Sequence, residues 1–434
     1  MSDNFNNTLL LNDSDKNACV IYNAKIITPQ QIINNGSVLI KNGIIHDIFP
    51  SDFDIANIPV SNKIDIGGNY LTPGFINIHI HGYGDLDNQS PLDVMDGADS
   101  VKKISKILSQ HGITGFLPTT ISTHLSHLLE VMEYTKMFCT NPDLLEGSKI
   151  LGIHFESPYI TSIGVHLADV VARAKELSWT DLKQEIETLY KASGENIKIL
   201  TMCPIFKGDK TCEIIAHATS LGITVSAGHS IANYEQTKTG IQNGILSATH
   251  IFNAMSPLHH RHPGVVGAVL EDDNVFMEII PDCTELPHLH PAIIRLLLKI
   301  KGYDKTIIIT DTSPVAGLKN GQYTVYGGQD VLKEDDIVYT IIDEGTKRLA
   351  GSTLSMNKAI KNMKDIIGVP LEYAVRMATS NPATLLGIAN KKGSIAKGMD
   401  ADLVVFDENI NIKLTMVNGK IVYNTITNSE LTNL

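Results

Sequence analysis

Two histidines two residues apart, His79 and His81, end a run that carries Phe75, Ile76 and Ile78. Strand side chains alternate faces, so residues two apart share one. Two imidazoles at the end of a buried strand would present ring nitrogens to the same point, as a divalent cation with nitrogen and oxygen ligands requires. The pair alone suits a structural role equally well, and the metal reading needs ligands at the ends of later strands. They occur in order. An apolar run at 150–155 closes on Glu156, residues 223–228 lead to His229, residues 247–249 lead to His250, and the β-branched run 305–310 closes on Asp311. Each has a plain alternative, a satisfied core histidine or a helix N-cap aspartate. Five such strand ends together favour a metal centre on the C-terminal rim of a parallel barrel.

The elements that must position these residues change character twice. Residues 1–70 and 391–434 read as short strands with Asn/Gly turns, among them an Asn418-Gly419 hairpin signal between apolar runs. Between them, at 71–390, strands alternate with helical stretches. One is 98–111, where Val101, Ile104, Ile107 and Leu108 share a face and Gly112 supplies the stop; in another, Thr180 is the expected N-cap. The pattern predicts an α/β chain, a TIM-like (β/α)8 barrel at 71–390 flanked by a small β-sandwich that both chain ends build.

At 434 residues with 43% hydrophobic content, the chain can bury a large core. A net charge of −12 argues against nucleic-acid and acidic-membrane partners, and makes an anionic small substrate depend on a local cation. The five cysteines are scattered, with no pair at ligand spacing, so reduced thiols in a cytoplasm are expected. Residues 1–15 are rich in Asn and Asp with no basic start, and no run approaches about 18 apolar residues, so neither secretion nor membrane spanning is expected. One or two ions per chain are expected; Zn, Fe, Mn or Co all suit imidazole and carboxylate.

The words around these ligands carry a family resemblance. They are residues 73–82, 112–120, 152–158 with 164–166, 226–230, 249–255, 261–264, Thr310-Asp311, 349–354 and 378–383. Jointly they resemble the N-acetylglucosamine-6-phosphate deacetylase branch of the amidohydrolase superfamily. The resemblance implies metal-dependent hydrolysis of the N-acetyl group of N-acetylglucosamine 6-phosphate in amino-sugar catabolism. It implies His79, His81, Glu156, His229, His250 and Asp311 as metal ligands, Asp311 as the group that takes the water's proton and returns it to the leaving amine, and His166 as a donor to the oxyanion. It further implies that Asn253 and Ala254 hold the phosphate, that Arg261 reaches the neighbouring subunit's site in a homodimer, and that His288 touches the sugar. The chain departs from the pattern at Asn77, at Ser157, in the loop 312–316, and in the segment 281–288, which is longer than in relatives.

Rival readings share parts of this frame. A deacetylase of the galactosamine epimer is nearest, because segment 281–288 lies where the sugar would sit. Dihydroorotase-like or adenine deaminase-like enzymes share the metal frame, but no lysine stands in place of Glu156 to be carbamylated. A metal-free barrel paralogue with a binding role should have lost ligands, and every one is retained.

Overall fold

The computed structural model describes residues 18–426, apart from 29–30, 52–54, 59, 162–165, 167 and 343–345. Its larger unit is a layer of parallel strands. Phe75–Ile80 pairs with Ile113–Pro118, which pairs with Lys149–Ile150. Ile153–Glu156, Ile197–Met202, Thr224–Ala227, Ile245–Ala248, Phe276–Ile279 and Thr306–Ile308 form a second, six-stranded sheet in chain order. Parallel bridges join the two sheets at both ends, Thr119 to His154 and Ile80 to Thr312. Helices such as Ala98–Ser109 and Pro291–Lys301 make the crossovers that parallel pairing requires. Every residue of Phe75–Ile80, Ile113–Pro118 and Phe276–Ile279 is buried, so these strands must be apolar on both faces. The polar residues inside such strands, among them His79, His154 and Glu278, are therefore the informative exceptions.

Ala98–Ser109 buries Val101, Ile104 and Leu108, and Gly112 lies beyond it at φ 78°. The cap of Trp179–Ala192 is Ser178, not Thr180. Ser178 accepts from the Asp181 amide and Asp181 returns a bond to the Ser178 amide, a capping box that starts the helix earlier. No helix among the described residues is long and apolar enough to cross a membrane.

The first and last described strands meet in one eight-stranded sheet around Ile21, Ile26, Ile40, Leu403 and Val405. Asn418 and Gly419, both at positive φ, turn Ile412–Val417 into Lys420–Asn424. Tyr70–Pro73 straddles the expected border at 70/71 and pairs with Leu403–Phe406. A third unit had no counterpart in the sequence pattern. Gly321–Val325, Gln329–Glu334, Ile337–Ile342 and Thr346–Ser352 form a four-stranded antiparallel sheet, tied back to the parallel layer by a Thr312–Ser352 bridge.

The first parallel strand leaves the layer through Gly82, which opens the hairpin Gly82–Asp85 with Ser90–Asp93. A Cβ at Gly82 would lie 2.1 Å from the Leu92 carbonyl oxygen and 2.9 Å from Pro314 Cα, both main chain. Gly82→Ala is expected to lower the unfolding free energy by about 1–3 kcal/mol, measured by denaturant melts. An unchanged midpoint would show that the hairpin relaxes without cost.

Candidate functional site

A cavity of about 640 Å³ opens at the C-terminal ends of the parallel strands. Glu156, the last residue of its strand, lines it and is 1% exposed. Imidazoles converge on its carboxylate. Oε1 lies 3.0 Å from His229 Nε2 and 3.2 Å from His250 Nε2; Oε2 lies 3.6 Å from His81 Nε2 and 3.7 Å from His166 Nε2. His79 Nε2 is 3.9 Å from Oε1. Asp311 Oδ1 completes the cluster, 3.2 Å from His81 Nε2 and 3.5 Å from His79 Nε2. Three overlapping groups have ligand atoms close enough to hold an ion: His79, Glu156 and His250; His79, His81 and Asp311; Glu156, His166 and His229. The structure thus brings together every expected ligand, with His166 among them.

Burial alone would raise the Glu156 carboxyl, but the charge and hydrogen bonds of His229 and His250 outweigh it and hold the group well below its usual range. Asp311 is likewise held far down against its burial by His79 and His81. Burial lowers His79 strongly and His166 to about 3. His81 differs, because the bond and charge of Asp311 overcome burial and lift it to about 9. Three of these residues, His229, His250 and Asp311, sit just past their strands at φ 46°, 32° and 49°. Left-handed backbone in a non-glycine residue persists only where the surroundings impose it. At Asp311 they do: its amide donates to the His79 carbonyl and its carbonyl accepts from the Ser352 amide.

Main-chain contacts assign the ring tautomers. His81 Nδ1 is 3.1 Å from the Thr119 carbonyl, which can only accept, so Nδ1 keeps a proton; the Nε2 proton that Asp311 stabilises is the one an ion would displace. His166 is the reverse. The Ser122 amide donates to its Nδ1 at 3.0 Å, so Nε2 carries the proton into the site. His154 is a satisfied core residue, bonded to the Ile78 carbonyl at 2.8 Å and to Thr201 Oγ1 at 2.7 Å.

Asn253, Ala254 and His288 line the same cavity. Segment 281–288 delivers His288 to the cavity, because Asp282 accepts from both its amide and its ring Nδ1, the latter at 2.7 Å. Arg261 is exposed and is not among the lining residues. Arg348 is, and sequence reasoning missed it. Val331, Thr340 and Arg348 stand in register across the antiparallel sheet, and Val325, Gln329, Val331, Arg348 and Ala350 make one cavity wall. Its neighbour Lys347 turns the other way to pair with Glu334 at 2.7 Å. Only strand register separates the two basic residues, and nothing in the local composition reveals it. Glu278 was also missed, although a carboxylate inside the apolar Phe276–Ile279 was a legible signal. Burial pushes it up to about 8.

The chain matches the Amidohydrolase family over residues 70–422. It is 32% identical over 408 residues to an N-acetylglucosamine-6-phosphate deacetylase of Bacillus subtilis, covering 93% of this chain and 97% of the relative. The chain belongs to the N-acetylglucosamine-6-phosphate deacetylase family of amidohydrolases. The crystal structure of the Pasteurella multocida member superposes with a TM-score of 0.80 at 30% identity, over 93% of this chain and 99% of that one. An N-acetylgalactosamine-6-phosphate deacetylase of Escherichia coli O157:H7 is 30% identical over 400 residues, covering 92% of this chain and 97% of the relative. Family membership implies a TIM-like barrel with a second domain and the divalent-metal dependence typical of amidohydrolases.

Proposed function

We propose that this chain hydrolyses the N-acetyl group of N-acetylglucosamine 6-phosphate, giving glucosamine 6-phosphate and acetate, as a cytoplasmic homodimer on a (β/α)8 barrel. The observation that carries the reading is the convergence of five imidazoles and Asp311 on the buried Glu156 carboxylate at one cavity. The relatives' names supply the substrate; the cluster supplies the chemistry.

The donor set fits a divalent ion of intermediate softness, with imidazole and carboxylate and no thiolate. His229 and His250 Nε2 face one another at 3.1 Å over one carboxylate oxygen, a crowding that a shared cation relieves. His229, His250 and Glu156 would hold one ion; His79 and His81, with Glu156 shared and Asp311 beside them, a second. A bound ion supplies Lewis acidity, lowering the pKa of a water and polarising the amide carbonyl. Asp311, ionised at any working pH, takes the proton of the attacking water and returns it to the leaving nitrogen. His166 aims its Nε2–H at the oxygen where charge develops. His288 keeps its Nδ1 proton on Asp282, which leaves Nε2 to accept from a sugar hydroxyl. Asn253, Ala254 and Arg348 receive the phosphate from this chain. The exposed Arg261 supplies a second cation across a dimer. The five cysteines, all free thiols, agree with a reducing compartment.

Acetate release from the gluco and galacto 6-phosphates and from unphosphorylated N-acetylglucosamine tests the reading, and release from none of them rejects it. The purified protein should carry one to two divalent ions per chain and lose activity to a chelator. Elemental analysis without bound metal, together with chelator-insensitive activity, would reject the metal site.

Asp311→Asn keeps shape and hydrogen bonding but cannot carry a proton. It is expected to retain substrate binding while kcat falls by about 10²–10⁴. A variant with most of its kcat would move proton transfer to another group.

Arg348→Ala and Arg261→Ala each remove a charge-assisted contact worth about 1.5–3 kcal/mol. Each should raise KM for the phosphorylated sugar about ten- to a hundredfold and leave the unphosphorylated sugar little changed. Equal effects on both sugars would show that the arginine does not meet the phosphate.

A further inference from the structure

Glu278 stands behind His79. It is 0% exposed, in the strand Phe276–Ile279, and its Oε2 is 3.5 Å from Nδ1 of the equally buried His79. The two ring nitrogens of His79 thus meet different carboxylates: Nε2 faces Asp311 and Glu156, and Nδ1 faces Glu278. Among the described residues, neither His79 Nδ1 nor His250 Nδ1 has a hydrogen-bond partner, and no side chain bonds either Glu278 oxygen, toward which only the His250 main chain is turned. Buried polar groups are almost always partnered, and a buried carboxylate without a partner is costly.

A neutral imidazole offers one N–H and one lone pair, so Nε2 can ligate only if the proton stays on Nδ1. At His81 a backbone carbonyl, that of Thr119, holds the proton there. At His79 a carboxylate occupies the corresponding place. We infer that Glu278 is a positioning residue for the metal centre, accepting the hydrogen bond of His79 Nδ1–H and so selecting the tautomer and ring orientation in which Nε2 binds the ion. The inference rests on the metal reading of the cavity. It separates two roles of one side chain. A merely structural Glu278 would matter to the fold, whereas a positioning Glu278 matters to ion affinity even where the fold gains from its removal.

The test uses the full chain loaded with Zn²⁺ and titrated with a chromophoric chelator, beside thermal unfolding in excess chelator. Glu278→Leu removes the buried carboxylate, and Glu278→Gln keeps its shape while exchanging one acceptor for a donor. Affinity for Zn²⁺ is expected to fall about 10–100-fold in Glu278→Leu and to fall also in Glu278→Gln, with the unfolding temperature in chelator unchanged or raised in the leucine variant. Zn²⁺ affinity within twofold of the unaltered chain in both variants overturns the assignment, whatever the unfolding temperatures. If the unaltered chain itself fails to hold Zn²⁺, the metal reading fails, and that result is distinct from the loss of Glu278's role alone.

Discussion

A carboxylate 1% exposed at the end of a strand, Glu156, constrains the rest of the site. An ionised group in that position is tolerable only if positive charge or donors surround it. The chain meets the demand with five imidazoles drawn from four different segments: His79 and His81, His166, His229 and His250, none farther than 3.9 Å from a Glu156 oxygen. Since no two of these segments are adjacent in space by local chain geometry, only a layer of parallel strands in fixed register can deliver them. The buried Val, Ile and Phe residues of that layer therefore serve the site as much as the core.

Delivery also requires backbone that the strands themselves do not adopt. His229, His250 and Asp311, with Phe252 and Ala254 nearby, all lie at positive φ. Each such residue costs on the order of 1–3 kcal/mol, and main-chain hydrogen bonds at the strand ends, some across segments and one within its own turn, absorb the cost. The Thr161 amide bonds to the His229 carbonyl, the Asn253 amide to that of His250, and Asp311 is held from both sides. A strand that continued straight would carry these side chains past the carboxylate. The left-handed residue turns them back toward it.

The residues that cluster at the cavity were legible because strand-end chemistry is local: an apolar run followed by His, Glu or Asp can be read from one segment at a time. The hairpin at Asn418-Gly419 was legible for the same reason. Other features depend on information no single segment holds. Thr180 looked like a cap, yet the reciprocal bonds of Ser178 and Asp181 decide the helix start. Arg348 lines the cavity because the strand that carries it forms part of the antiparallel sheet at the cavity's edge. The antiparallel sheet itself was read into the barrel because its short runs resemble strand and turn equally well. Arg261, conspicuous beside Pro263-Gly264, lies outside the cavity lining, since residue type says nothing about what an exposed loop faces.

Histidine shows best how partner geometry converts one residue type into several functions. All these rings are alike in sequence, and what touches Nδ1 divides them. A carbonyl at His81 Nδ1 holds a proton there and turns Nε2 to Asp311. An amide at His166 Nδ1 forces the opposite tautomer and makes Nε2 a donor. A carboxylate at His288 Nδ1 holds a proton there and fixes the ring at the cavity wall. Partners at both nitrogens of His154 leave nothing for chemistry, and burial lowers it to about 4, so it stays neutral. A backbone carbonyl and a backbone amide cannot exchange roles with pH, so which nitrogen of His81 always keeps a proton, and which nitrogen of His166 never carries one, is fixed by the fold. The division of labour in the site thus follows from the main-chain course of 119–122, which supplies the carbonyl of Thr119 to one ring and the amide of Ser122 to the other.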